Sequence, residues 1–425
     1  MAGTAPGPPR PEAALDSSLP TRLSGYPGAD AMTGEPGLKV LHIVSDSNIG
    51  GAGRLLLNFL AYYDRSRLQV YVLCPAGSLL EERCAANPGV TVLALPELPP
   101  DASFAPGRLW KQIPSIIRVI RKYNINVVHT HASFAGRLAA RLSGGICVIY
   151  TRHRLEAAPR PGGTRHPAGR RSRLFGLVDR YTCDRVVAVS QAVREDLIRQ
   201  GVEDRKIALI YNGIDLSKFQ PPPTRTPPVD QEPVIGLVGR LEPEKGHRCF
   251  LEAAQMLLQQ HGDCRFQIVG DGSLQQDLRD FACKLGIAGQ VEFLGLRDDI
   301  PELLARMSVV VAPSLSEAFS LSLVEAMSMG KPCVASNIGG IKEILVDREN
   351  GLLVEPGKPG VLAARISWLL EHPDEARRMG EAASRTAAER FDARVMTEQL
   401  TRLYMECLHE KASKAKNTGF LWVRL

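Results

Sequence analysis

The chain has 425 residues, a length that at about 150 residues per domain predicts two or three domains. Hydrophobic residues make up 44% and charged residues 23%, which excludes a disordered, collagenous or coiled-coil chain. The net charge is +6, but residues 37–215 hold 25 Lys/Arg against 14 Asp/Glu, a balance of +11 that leaves −5 for the remainder. A basic first half fits nucleic acid, an anionic membrane surface or an acidic substrate. No apolar run approaches the ~18 residues that span a bilayer, so no transmembrane helix is expected. The N-terminus lacks a basic start followed by an apolar core, so no signal peptide is expected. The nine cysteines stand singly from Cys74 to Cys407, without a C-x-x-C pair. That pattern predicts a reducing compartment, no disulfide framework and no zinc ribbon. Cys249 and Cys333 sit among apolar neighbours and read as core residues.

In chain order, residues 1–36 contain 12 Gly or Pro and no apolar period, so a disordered tail is expected, with Met32 as a second candidate start. Leu38–Val44 is apolar except for Lys39 and His42, as in a strand buried on both faces. Gly50-Gly51-Ala52-Gly53 follows and opens a helix. Further strands are predicted at Leu68–Leu73, Val90–Leu95, Val127–Thr130, Val148–Thr151, Val186–Val189 and Ile207–Ile210. Helical segments such as Leu109–Tyr123 lie between most of them, which implies a doubly wound parallel sheet. Residues 219–233 hold six prolines and read as a semi-rigid linker. A second series of strands follows at Val234–Val238, Phe266–Val269, Val291–Phe293, Val309–Ala312 and Cys333–Ala335. Helices are then predicted at Val361–Leu370, Ala376–Arg390 and Ala393–His409. The fold class is therefore α/β, with two doubly wound Rossmann-like domains facing across a cleft. The expected boundaries are a tail 1–36, a first domain 37–218, a linker 219–233, a second domain 234–390, a helix 391–412 and a tail 413–425.

Two stretches carry chemistry. In Pro313-Ser314-Leu315-Ser316-Glu317-Ala318-Phe319-Ser320-Leu321-Ser322-Leu323-Val324-Glu325, a strand ends, a loop holds Glu317, and a helix begins near Ser320 or Ser322. Its first-turn N–H groups form an anion site. Glu325 lies about one turn inside, on an apolar helix, and needs a partner such as a ribose diol. In Gly239-Arg240-Leu241-Glu242-Pro243-Glu244-Lys245-Gly246, Arg240 and Lys245 are expected to face the cleft, where both suit a diphosphate. No Walker A spacing exists there.

The pair Glu317 and Glu325 resembles the E-x7-E spacing of retaining glycosyltransferases of family 4, which have the GT-B fold. Arg240 and Lys245 look like the diphosphate-binding pair of that family. The resemblance spans about Leu38 to Leu408, and it implies that 37–218 is the acceptor-side domain, that 234–390 is the nucleotide-sugar donor domain, and that the helix 391–412 crosses back to the first domain. It includes Gly50-Gly51, Ser190, Tyr211-Asn212-Gly213-Ile214-Asp215, Gly270-Asp271-Gly272 and Gly339-Gly340-Ile341-Lys342-Glu343. It implies that Arg240 and Lys245 neutralise the departing diphosphate, and that Phe319, Ser320, Leu321, Ser322 and Leu323 hold the diphosphate and sugar through backbone N–H groups. Glu317 would bind the transferred sugar and Glu325 the donor ribose. Gly50, Gly51, Gly239 and Gly270 would line the donor, and His153, after a strand, would stand near the acceptor. Family members often carry Glu at the place of Gly53 and Gly at that of Ser320; neither change removes a backbone N–H.

The resemblance implies a retaining, metal-independent hexosyltransferase. Its donor would be a nucleotide-diphosphate sugar and its acceptor a cell-surface glycan or a lipid-linked molecule. It would have no cofactor and no nucleic-acid partner, and would lie in the cytoplasm or at the inner membrane face. The chain has no Asp-x-Asp. His129-Thr130-His131 places two rings on one face of a strand, but no third ligand stands nearby in sequence, so no metal site is expected. Arg152, Arg154, Arg160, Arg165, Arg170, Arg171 and Arg173 crowd a segment expected to meet anionic lipid headgroups. A dinucleotide enzyme is disfavoured because the third glycine of G-x-G-x-x-G falls at Leu56 and the second strand ends without an acid. An epimerase or hydrolase of the same fold, or a noncatalytic nucleotide-sugar binder, stands as the alternative.

Overall fold

The computed structural model describes residues 37–45, 49–95, 98, 106–131, 133–155, 178–221 and 232–417. The N-terminal tail, most of the Pro-rich linker and most of the arginine-rich segment lie outside the described residues. Seven strands form the first sheet: β1 (Leu38–Val44), β2 (Leu68–Pro75), β3 (Val90–Leu95), β4 (Val127–His131), β5 (Cys147–Arg152), β6 (Arg185–Ala188) and β7 (Ile207–Leu209). Their order is β3-β2-β1-β4-β5-β6-β7, with every pairing parallel. Helices on both faces bury the central strands completely, which is why β4 and β5 read as continuous runs.

The second sheet has six strands: β8 (Val234–Val238), β9 (Arg265–Val269), β10 (Val291–Gly295), β11 (Val309–Ala312), β12 (Cys333–Ser336) and β13 (Leu352–Val354). Its order, β10-β9-β8-β11-β12-β13, repeats the winding of the first. Each predicted strand end falls within two residues of the observed one. β13 was not expected; three residues after a glycine carry no readable period. In each sheet the winding reverses beside the first strand, between β1 and β4 and between β8 and β11. Ligands of open α/β sheets bind at such points, beyond the carboxyl ends of the strands.

The last helix, Ala393–Asn417, runs past the expected His409. It lies on the first sheet, where Met396, Leu400, Leu403, Tyr404 and Cys407 share a core with Val40, Leu56, Phe59 and Cys147. Where the chain returns, Ile214 N–H donates to Phe391 O and Ala393 N–H to Ile214 O, both at 2.9 Å. A Cβ on Gly213 would stand 2.5 Å from Ala393 Cα, so only glycine lets the two crossings lie this close. Cys147 and Cys407 are joined in a disulfide. This corrects the expectation of unpaired cysteines: residues 260 apart in sequence meet only because the last helix crosses back over β5. Cys249 and Cys333 are buried thiols, as expected.

Candidate active site

The loops after β8 and β11 are neighbours in the second sheet, and they build the site. Glu317 stands five residues past β11 and is nearly buried. Its Oε2 accepts from Lys245 Nζ at 2.5 Å and from Ser314 Oγ at 3.3 Å. Its Oε1 has no partner among the described residues. Lys245 ends the short 3-10 turn Pro243–Lys245. The turn is held by close backbone contact, since a Cβ on Gly246 would overlap Pro313 O at 1.9 Å. Lys245, Ser314, Glu317, Ser320 and Ser322 line one polar recess.

The helix Leu321–Ser328 opens onto that recess. Ser320 is its N-cap and accepts from Leu323 N–H through Oγ at 3.4 Å. Of the five expected donors, Leu323 is therefore already engaged, while the first-turn amides of Leu321 and Ser322 lack intrahelical acceptors. The ring of Phe319 is buried against Phe391. Gly270, at φ +138°, crosses Gly239 so closely that a Cβ would lie 2.0 Å from Gly239 O. Gly239 in turn faces Lys245, whose Cδ a Cβ there would meet at 3.9 Å. Arg240 is exposed, and its Nη2 meets Glu244 at 3.4 Å; it does not contact Glu317.

Glu325 faces the other domain. Its Oε1 accepts from Arg54 Nη1 at 2.7 Å, while Oε2 is buried without a partner. Burial pushes this carboxyl above its ordinary range, and Arg54 opposes the shift. Arg54 lies in the helix Gly51–Tyr62, whose N-cap is Gly50. A Cβ on Gly51 would meet nothing within 4 Å, so open space fronts this loop. Arg54 was not singled out in the sequence, because its partner is 271 residues away. Glu343 likewise joins the halves: its carboxylate accepts from Gln191 and Ala192 N–H at 2.7 and 2.8 Å, at the start of the helix Gln191–Arg199.

His153 follows β5. Two residues on, Leu155 lies against Gly339, which in turn touches Glu317 O. The chain just past His153 thus meets the Glu317 loop. The expectation that no third histidine accompanies His129 and His131 is corrected. His42 on β1 pairs in register with His129, and ring nitrogens of His42, His129 and His131 lie within 4.8 Å of one another. Strand register brings them together across 87 residues of sequence, which no local spacing reveals. Arg152, expected in a basic surface segment, is buried and paired with Asp179 at 3.1 Å. No described helix is long and apolar enough to cross a membrane.

Known proteins resemble this chain along most of its length. Residues 49–218 match the family model described as Glycosyltransferase Family 4, and residues 223–386 match Glycosyl transferases group 1. The UDP-Gal:alpha-D-GlcNAc-diphosphoundecaprenol alpha-1,3-galactosyltransferase of Escherichia coli is 29% identical over 339 residues, 75% of this chain and 84% of that protein. A D-inositol 3-phosphate glycosyltransferase of Corynebacterium urealyticum is 29% identical over 318 residues, 68% of this chain and 74% of that protein. Among solved structures, Anabaena Alr3699/HepE in complex with UDP superposes with a TM-score of 0.70 at 24% identity, over 87% of this chain and 100% of that one.

Proposed function

Since this chain belongs to the GT-B glycosyltransferases, with a family 4 half and a group 1 half, we propose that it moves a hexose from a nucleotide-diphosphate sugar to a glycan or lipid-linked acceptor. The proposal includes retention at the anomeric carbon and no metal. The observation that carries it is the Lys245–Glu317 pair at the mouth of the Leu321–Ser328 helix. As the sugar–phosphate bond breaks, charge grows on the leaving diphosphate. A lysine and first-turn amides, already positioned, stabilise that charge without a divalent ion. Arg240, exposed above the recess, supplies a second cation by turning from Glu244. The free Oε1 of Glu317 takes a sugar hydroxyl, and Glu325 takes the ribose diol. In a same-face displacement the acceptor oxygen bonds to the anomeric carbon as the diphosphate oxygen leaves. The acceptor's proton passes to that oxygen.

The acceptor in this reading is anionic or membrane-borne, consistent with the +11 balance of the first half. We place the protein in the cytoplasm, peripheral to an anionic membrane; the buried Cys147–Cys407 bond is shielded from soluble thiols there. Arg170→Glu/Arg171→Glu is expected to abolish cosedimentation with anionic liposomes. Unchanged pelleting would remove the membrane contact.

The donor assignment is tested by thermal shift with UDP, GDP, ADP, TDP and their sugars. A ligand at ~100 times its Kd stabilises by about 2.7 kcal/mol, and one base is expected to stand out. Lys245→Ala and Glu317→Ala are each expected to cut turnover by roughly 10²-fold, the scale of one transition-state electrostatic contact. Near-normal rates in both would overturn the roles assigned.

A further inference from the structure

Three imidazoles form an unbroken hydrogen-bonded line from the middle of the first sheet to His153, just past the carboxyl end of β5. His42 Nδ1 lies 3.2 Å from His131 Nε2, and His131 Nδ1 lies 3.1 Å from His153 Nε2. At the inner end, His42 Nε2 is buried and has no partner. At the outer end, His153 Nδ1 has no partner among the described residues. The rings of His131 and His153 stack with centroids 5.4 Å apart. Burial holds all three neutral: His42 falls to about 3, His153 to about 4, and His131 well below its ordinary value.

A line of neutral imidazoles has two consistent proton arrangements, because each ring has one N–H and one lone pair. In the first, His42 Nδ1–H donates to His131, and His131 Nδ1–H donates to His153. His153 then carries a free Nδ1–H, and the unpartnered atom on His42 is a bare lone pair. In the second, every proton moves to the other nitrogen. His153 then presents a lone pair, and His42 buries an N–H with no acceptor. Orphaned buried N–H groups are rarer in proteins than under-used acceptors, so the first arrangement is the stable one.

We propose that His131, at the centre of this line, is a positioning residue that fixes His153 as its Nδ1–H tautomer, a hydrogen-bond donor toward a ligand oxygen in the cleft. On this arrangement His153 is not the base that deprotonates an acceptor. The proposal rests on the donor-cleft reading for the ligand, but the tautomer itself does not depend on it. The same cluster does not form a three-histidine metal centre. His129 has a single lone pair when neutral, and its nitrogens are held by Tyr404 OH and Thr151 Oγ1, each at 2.7 Å.

The test is a long-range ¹H–¹⁵N spectrum of the imidazoles in the full chain, recorded without substrate. Wild type is expected to show His153 with Nδ1 protonated and Nε2 bare. His131→Phe removes the N–H donated to His153 Nε2 and is expected to shift His153 into a tautomer mixture. His131→Asn keeps an amide N–H near the place of Nδ1 and is expected to restore the wild-type signal. His42→Phe leaves the inner nitrogen of His131 as the bare buried lone pair and is expected to keep the His153 tautomer. With donor sugar, His131→Phe is expected to lower kcat at least about tenfold with donor KM unchanged. Loss of a tautomer-holding partner costs a serine-protease histidine about 10⁴. An Nε2–H tautomer in wild type, or an unchanged His153 signal in His131→Phe, would overturn the proposal. So would stoichiometric zinc in the purified protein. If His131→Phe does not fold, the wild-type and His131→Asn spectra decide alone. A fixed tautomer together with a flat nucleotide panel would leave this inference standing and the donor reading fallen.

Discussion

Arg54 and Glu325 form an ion pair between the two halves of the chain. The carboxylate gives one oxygen to Arg54 and keeps the other buried and unpaired, an arrangement that a ribose hydroxyl would complete. Arg54→Met strands the carboxylate and is expected to lower stability by roughly 1–3 kcal/mol, the cost of an unpaired buried polar group. Adding Glu325→Gln should recover most of that loss without recovering nucleotide binding. Denaturant melts of the four proteins check this; additive losses in the double variant would show that the pair is uncoupled. Both glutamates were legible from their spacing. Arg54 and His42 were not, because each acquires meaning only from a partner brought close by the fold.

At the level of elements, what matters is how tightly the loops cross. Gly340 N–H donates to Glu317 O at 3.1 Å, and a Cβ there would stand 2.0 Å from Ala318 O. Gly340→Ala must therefore push the Glu317 loop aside. Overpacking of this kind costs typically 1–3 kcal/mol. We expect a lower Tm together with lost turnover, whereas Gly51→Ala, with open space before it, should leave Tm unchanged. A Gly340→Ala protein of wild-type rate would show that this contact does not position Glu317. The strands were legible because buried parallel strands are continuous apolar runs, as in Val309–Ala312. The short β13 and the lengthened last helix were not: one is three residues long, and the other continues through a polar stretch without a stop signal.

Across the whole molecule, buried histidines couple stability to acid. His42 is held at about 3 and His247 at about 4, both chiefly by desolvation. In the unfolded chain each titrates near 6.5. Below that pH the unfolded state binds protons that the folded state refuses, so stability falls as pH drops, continuing down to the folded values. Each contributes about 1.4 kcal/mol per pH unit below 6.5, so the two together remove about 3 kcal/mol by pH 5.5. A Tm that stays level between pH 7.5 and 5.5 would contradict this. The symmetry of the two windings could be read from the sequence, strand by strand. The return of the last helix was expected from the resemblance alone; the pairing of Cys147 and Cys407 that it brings about follows from packing against Phe59 and Leu56 that no periodicity encodes.

That pairing changes the covalent topology. From Cys147 out through the second sheet and back to Cys407, the polypeptide is a closed ring that contains the whole second sheet. The segment 222–231 belongs to that ring. A single backbone cut there, for instance after Arg225, opens the circle at one point and frees neither half. The two halves of the chain are thus tied by two independent covalent routes. Loss of either route alone leaves both in one molecule.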